Sequence, residues 1–137
     1  MKSSLLLGLF VCFSWCATAQ YDDPAVPAAA LTAELTERYR LSEAQQTQMQ
    51  TIQERYFTHL TKLEKLESAD LAYYVKKRRA LHLGTEHSIE MLLDKTQRKT
   101  FDQARRARRR QQAELVQALA GAGKSELEIQ RALLDVK

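Results

Sequence analysis

Apolar residues recur at steps of three and four over most of the chain, which is the spacing of one face of an α-helix. The first stripe consists of Met49, Ile52, Tyr56, Leu60, Leu63 and Leu66. The second stripe consists of Leu71, Tyr74, Val75, Leu81, Ile89 and Leu92. No segment alternates apolar and polar residues as a half-buried strand does. The pattern predicts an all-α fold of long helices, arranged as an elongated antiparallel hairpin with short accessory helices.

Capping boxes predict where the helices begin. In a capping box, a polar side chain accepts a hydrogen bond from the N–H three residues later, and a Gln or Glu there reaches back to the cap. The three boxes start at Ser42, Asp94 and Ser125. Between the first two, Ser68 or Asp70 can cap another helix. The glycines at 121 and 123 end the third long helix at about residue 120.

The first nineteen residues predict a signal peptide. Residues 5–15 are almost wholly apolar but too short to span a bilayer, and small residues at 17 and 19 form a peptidase site. We expect cleavage after Ala19 and export of the mature chain. A retained membrane anchor and a lipoprotein acylated on Cys16 are the alternatives. The bulky Trp15 argues against the lipoprotein, because a small residue precedes the acylated cysteine in such signals.

Cleavage would change the chemistry of the chain, because both cysteines, Cys12 and Cys16, leave with the signal peptide. The mature protein would then have no disulfide and no cysteine metal site. It would also lack an integral membrane segment, since no second long apolar run follows. The predicted organisation is a signal peptide over 1–19, an extended leader over 20–27, a helical domain over 28–120 and a C-terminal capping helix over 121–137.

Positive charge is clustered, although the net charge is only +4. Five arginines fall within residues 105–110, and residues 76–79 form a second basic cluster. An exported chain seldom meets nucleic acid, and no aromatic residues are interleaved for base stacking, so we expect no nucleic-acid partner. Two interpretations remain: a solvated face with scattered ion pairs, or a basic surface for anionic lipids or acidic proteins.

Basic residues also interrupt two apolar stripes. Arg108 lies in the middle of the sector that contains Phe101 and Leu115, and Arg78 and His82 interrupt the second stripe. An unpaired guanidinium in a dry core costs several kcal/mol, so these faces are expected at a groove or an interface. Snorkelling at the edge of the core is the alternative. The residues predicted to bind a client or partner are Arg78, Phe101, Arg105, Arg108, Arg109 and Leu115.

No pattern predicts an enzyme or a cofactor. Residues 118–125 superficially resemble a phosphate-binding loop, but a helix precedes them where that loop requires a strand. His82 with Glu86, and His87 with Met91, are each one turn apart and could share a metal ion. However, no closed ligand set surrounds them.

The capping boxes at Ser42 and Asp94 resemble the paired L-T-x-x-Q motifs of the Spy/CpxP family of exported, periplasmic stress proteins. The first box reads Leu41-Ser42-Glu43-Ala44-Gln45 and the second reads Leu93-Asp94-Lys95-Thr96-Gln97, with Asp94 at the threonine position. This resemblance implies a thin, curved homodimer of helical hairpins whose concave basic face holds unfolded chains. The implied function is an ATP-independent chaperone or envelope-stress binding protein, and the alternative is a metal-responsive sensor or buffer.

Overall fold

The structure is a computed structural model that describes residues 23–136. This part of the chain contains five helices and no strand, so the predicted all-α class is confirmed. The helices are α1 (Ala25–Tyr39), α2 (Glu43–Glu67), α3 (Leu71–Leu92), α4 (Lys95–Gly121) and α5 (Glu126–Leu133).

Residues 1–22 lie outside the described part of the chain. They include the predicted signal peptide over 1–19, the cleavage after Ala19, the lipidation alternative at Cys16 and residues 20–22 of the leader. Within residues 23–136, no helix combines the length and the apolar character needed to cross a membrane.

The extended leader predicted up to residue 27 ends earlier than expected, because α1 already begins at Ala25. The two prolines, Pro24 and Pro27, were interpreted as marks of extended chain. They instead lie at the cap and in the first turn of α1, where a backbone N–H has no intrahelical acceptor and its absence costs little. The Ala25 N–H donates instead to the side chain of Asp23, at 2.9 Å.

All three predicted capping boxes are present, at the starts of α2, α4 and α5. Between the two candidates for the cap of α3, the structure selects Asp70, whose carboxylate accepts the Tyr73 N–H at 2.9 Å. Helix α3 continues without interruption through Gly84, although a glycine inside a helix lowers helix propensity by about 1 kcal/mol. The sequence therefore predicts the starts of α2, α4 and α5, because each of these starts is fixed by local hydrogen bonds.

The boxes of α2 and α4 bind each other through their glutamines. Gln45 Nε2 donates to Gln97 Oε1 at 2.8 Å, and Gln97 Nε2 donates to Gln45 Oε1 at 2.9 Å. Each side-chain oxygen also accepts the N–H of its own cap, Ser42 or Asp94. This reciprocal pair of amides therefore joins two helix N-termini that are 52 residues apart in sequence.

Both glutamine side chains also reach backbone carbonyls at the ends of the preceding helices. Gln45 Nε2 lies 3.0 Å from the Leu92 carbonyl oxygen, and Gln97 Nε2 lies 3.3 Å from that of Arg40. Because α2 begins where α3 ends, the two helices run in opposite directions, and they pack along each other. We call this meeting point of α1, α2, α3 and α4 the junction.

The main hydrophobic core surrounds the junction. The motif leucines Leu41 and Leu93 are buried there, and Met49 and Phe101 occupy equivalent positions one turn after each glutamine. The remaining buried members are Leu35, Tyr39 and Ile89. The two motifs therefore contribute matching apolar residues to one core, which the amide pair holds together.

Two turns next to helices require positive φ angles. Arg40, after α1, has φ 53°, and Gly123, after α4, has φ 74°. At Gly123 the Lys124 N–H donates to Leu119 and the Gly123 N–H donates to Ala120, which forms a Schellman motif. A side chain is disfavoured in this conformation, so Arg40 stores strain that Gly123 avoids.

We expect substitutions at these two turns to have opposite effects on stability. Arg40→Gly should raise the free energy of unfolding by about 1 kcal/mol because it removes the side chain that disfavours positive φ. Gly123→Ala should lower it by about the same amount, since a Cβ there meets no atom within 4 Å and only backbone strain is added. Urea denaturation measures both free energies of unfolding. Changes of the same sign would contradict the explanation from positive φ angles.

Substitutions of the paired glutamines should not be additive. Gln45→Ala or Gln97→Ala leaves the other amide without a partner at the junction, so each should cost about 1–3 kcal/mol. The double variant should cost less than the sum, with a coupling of at least about 0.5 kcal/mol. Urea denaturation of all four proteins measures the coupling. Gln48→Ala, on the exposed side of α2, is the control; additive costs would show that the pair does not act as a unit.

Candidate functional site

A cleft lies between α3, α4 and α5 and encloses about 300 Å³. Helix α3 contributes Arg78, Arg79, His82, Leu83 and Glu86. Helix α4 contributes Arg105, Arg108, Arg109 and Gln112. The C-terminal segment contributes Gln130, Leu133, Leu134 and Val136, and α2 contributes Tyr56. Five guanidinium groups and several leucines therefore line one concavity, which we call the arginine cleft.

Long charged side chains bridge α3 and α4 at the junction side of the cleft. Arg105 Nη1 lies 3.4 Å from Glu90 Oε2, and Arg105 Nη2 lies 2.8 Å from Asp102 Oδ1. One turn further along α4, Arg108 pairs with Glu86 of α3. These long side chains hold α3 and α4 together across a gap. Short apolar side chains at the same positions would let the two helices pack closely and would close the cleft.

The C-terminal segment forms the remaining wall. The α5 capping box is fixed by the Ser125 N–H, which donates to Glu128; this bond, with Lys124 and the Ser125 hydroxyl, lowers the pKa of Glu128 to about 2. Ile129 is buried, with 5% of its surface exposed. Arg131 Nε lies 2.5 Å from Glu67 on α2, and Arg78 Nη2 lies 3.2 Å from Asp135.

Two of the five cleft arginines make no ion pair within residues 23–136. Arg79 stands on α3 and Arg109 stands on α4, so each wall presents one such guanidinium. Arg79 Nη1 is 3.5 Å from Gln130 Oε1, a neutral partner. The other three arginines of the cleft are matched by carboxylates. The excess positive charge of the cleft therefore comes from Arg79 and Arg109, which can bind carboxylates of a ligand.

His82 faces this basic environment from α3. Burial lowers its pKa, the charges of Arg108 and Arg78 lower it further, and Glu86, whose carboxylate is 3.9 Å away, raises it. The net shift is downward, so the imidazole is uncharged at neutral pH. His82 therefore adds no positive charge to the cleft at pH 7.

The structure brings together four of the six residues predicted to bind a client. Arg78, Arg105, Arg108 and Arg109 come from two helices and line the same cleft. The interrupted stripes thus face a groove, as expected from the cost of burying unpaired guanidiniums. Leu115 is half-buried on α4 and does not line the cleft.

Phe101, which the sequence analysis placed among the client-binding residues, is buried in the core. It is only 6% exposed, and its ring packs edge-on against Tyr39 at 6.1 Å between centroids. Its place in the α4 stripe is that of Met49 in α2, one turn after the box glutamine, so it belongs to the core at the junction. The sequence placed Phe101 and Arg108 in one stripe of α4. It did not show that the stripe lies in the core at Phe101 and in the cleft from Arg105 onwards.

The candidate metal ligands do not form one group. His82 and Glu86 line the cleft, whereas His87 is exposed and Met91 is 64% exposed. The part of the chain from 23 to 136 contains no set of three or more His, Cys, Asp or Glu side chains placed to hold a metal ion. The Glu86 carboxylate is already paired with Arg108.

Sequence analysis missed the contribution of the C-terminal segment to the site. Residues 121–137 were interpreted as a capping helix alone, yet Gln130, Leu133 and Leu134 line the cleft. The glycines at 121 and 123 and the capping box at Ser125 indicated only a short final helix. They did not indicate which face of α3 and α4 it would cover.

Comparisons with protein-family models, with curated proteins and with solved structures find no match to this chain. The resemblance to the Spy/CpxP family therefore depends on the two motifs, and the functional interpretation depends on the cleft.

Stability should fall on acidification because of His82. The pKa of His82 is lowered in the folded state, so the unfolded chain binds the proton more readily. The resulting stabilisation of the folded state is complete above about pH 6.5 and is lost as the pH falls through the folded pKa. His82→Gln should reduce this loss, measured as urea midpoints at pH 7.5 and 5.5. His87→Gln, outside the cleft, is the control; equal pH dependence in the parent and His82→Gln would contradict the role of His82.

Proposed function

We propose that this protein is an exported, periplasmic binding protein that holds unfolded or partner proteins without ATP, as a chaperone or envelope-stress protein does. The observation that carries the proposal is the arginine cleft, where guanidiniums of α3 and α4 lie beside leucines of α3 and the C-terminal segment. The resemblance of the two boxes to the Spy/CpxP motifs supports the same function.

The cleft offers two kinds of weak contact to a polypeptide. Arg79 and Arg109 attract acidic segments over a distance and can bind their carboxylates. Leu83, which is 55% exposed, provides apolar contact, and Leu133 and Leu134 of the C-terminal segment line the same cleft. Contacts of this type bind many sequences weakly and release them without an energy source, which suits a holding function.

The quaternary arrangement is part of this proposal. Exposed large apolar side chains, among them Val26, Tyr73 and Met91, lie on α1 and α3 outside the cleft. A second copy that covers such residues would form the thin, curved homodimer that the resemblance implies. Its concave side would then carry the two arginine clefts.

The metal-responsive alternative receives little support from the geometry. Of the four candidate ligands only His82 and Glu86 line the cleft, and Glu86 is engaged by Arg108. Protein binding therefore explains the arrangement of the cleft better than metal binding does.

The decisive test is charge reversal at the two cleft arginines that lack an ion-pair partner in the described chain. Arg79→Glu with Arg109→Glu should reduce the suppression of client aggregation by at least about tenfold, because both walls then repel acidic segments. Light scattering of a denatured acidic client, with the variant in equal amounts, measures the effect. Arg105 and Arg108 are unsuitable for reversal, since they tie α4 to α3 through Glu90 and Glu86.

The matched control is Arg106→Glu with Arg110→Glu, which changes the net charge equally at exposed positions outside the cleft. This control should retain the parent activity. Protection by the parent should also weaken as salt rises past about 0.15 M, where charges are screened beyond about 8 Å. Equal protection by the parent and the Arg79/Arg109 variant at low salt would disprove the proposed mechanism.

A further inference from the structure

The C-terminal segment forms one wall of the arginine cleft through the kinds of contact that a bound polypeptide would make. Leu133, Leu134 and Val136 line the cleft, and the Asp135 carboxylate lies between them in sequence and pairs with Arg78. The segment thus combines apolar side chains with a carboxylate on a guanidinium. This is the same pairing of contacts that the cleft offers to a partner.

At Asp135 the attachment of this segment is weak, although Arg131 also ties α5 to Glu67 of α2, at 2.5 Å. The Asp135 side chain is 58% exposed in its pairs with Arg78 and Arg131, and exposed ion pairs contribute little to stability. Opposite Arg79 the segment places the neutral Gln130, at 3.5 Å. A carboxylate at that position would bind the guanidinium more strongly. The segment therefore leaves Arg79 and Arg109 without carboxylate partners.

The segment can leave without disturbing the core at the junction, although the contact of Arg131 with Glu67 of α2 is then lost. Residues 121–123 form a turn that contains two glycines, and Gly123 has φ 74°. The core at the junction contains residues of α1 to α4 and none of α5. Releasing α5 thus exposes the buried Ile129 and opens the cleft, while the amide pair and its surrounding core stay intact.

We propose that α5 and Asp135 act as an internal stand-in for the partner, and that the partner binds the cleft through a short, acidic, leucine-rich helical segment that displaces them. This inference rests on the proposed function and specifies the class of polypeptide that is bound. A partner segment with a carboxylate where this chain has Gln130 pairs with Arg79, and one further carboxylate pairs with Arg109. The partner thereby gains contacts that the internal segment lacks.

The probe for this proposal is a fluorescein-labelled peptide with the sequence of residues 124–137, added to the full chain and followed by fluorescence anisotropy. Asp135→Asn loosens the internal segment, so the peptide should bind about threefold to fivefold more tightly than it binds the parent. Gln130→Glu adds a pair with Arg79 and should weaken peptide binding by a similar factor. Glu114→Gln and Gln117→Glu, exposed on α4 outside the cleft, are the charge-matched controls.

A peptide with Asp135→Lys should bind the Asp135→Asn protein at least threefold more weakly than the parent peptide does. The proposal is overturned if the two α5 variants bind the peptide no differently from their controls. It is also overturned if Asp135→Asn forms a dimer in sedimentation that excludes the peptide, because the occupant is then a second copy.

The aggregation assay separates failure of this inference from failure of the proposed function. If Arg79→Glu with Arg109→Glu abolishes protection while both α5 variants protect like the parent, the internal segment is not a stand-in, although the cleft still binds clients. If the parent never suppresses aggregation but the peptide affinities change as expected, the proposed holding function fails and the identity of the occupant stands.

Discussion

The reciprocal hydrogen bonds between Gln45 and Gln97 are the constraint on which the rest of the structure depends. Each glutamine completes the cap of its own helix and also binds the other, so the N-termini of α2 and α4 are fixed relative to each other. An amide suits this position because it donates and accepts at once. With the two N-termini fixed, Leu41 and Leu93 become neighbours in one core, and the ends of α1 and α3 are held against them.

The cleft is a consequence of distance from that junction. Close to the amide pair, α4 contributes Phe101 to the core and lies near α1 and α3. One turn further, its inward residue is Arg105, and the next is Arg108. Guanidiniums on long stems reach across a wider gap than aromatic rings, so along the cleft α4 is tied to α3 by ion pairs. The change from Phe101 to Arg105 marks the start of the cleft.

The difference between local and distant interactions explains how much the sequence could predict. Capping at Ser42, Asp94 and Ser125 depends on residues within one turn, and all three helix starts were predicted correctly. The burial of Phe101 depends on the pairing of the two boxes across 52 residues, which no local pattern contains. Arg78 and Arg108 were found from the interruption of apolar stripes, and Arg105 and Arg109 belong to the run of arginines over 105–110. The wall formed by Leu133 required knowing where α5 turns back.

The arginines of the cleft divide into two groups with different physical roles. Arg105 and Arg108 form ion pairs with carboxylates of α3 and α4. They therefore maintain the spacing of the walls and are poor candidates for ligand contact. Arg79 and Arg109 stand on the same walls without an ion pair in the chain from 23 to 136.

A cleft held open by one set of guanidiniums while another set stays available can exchange occupants without losing its shape. The internal segment, with one carboxylate on Arg78 and a neutral Gln130 at Arg79, satisfies this surface only in part. That partial match is the physical reason to expect a partner that binds better than α5 does.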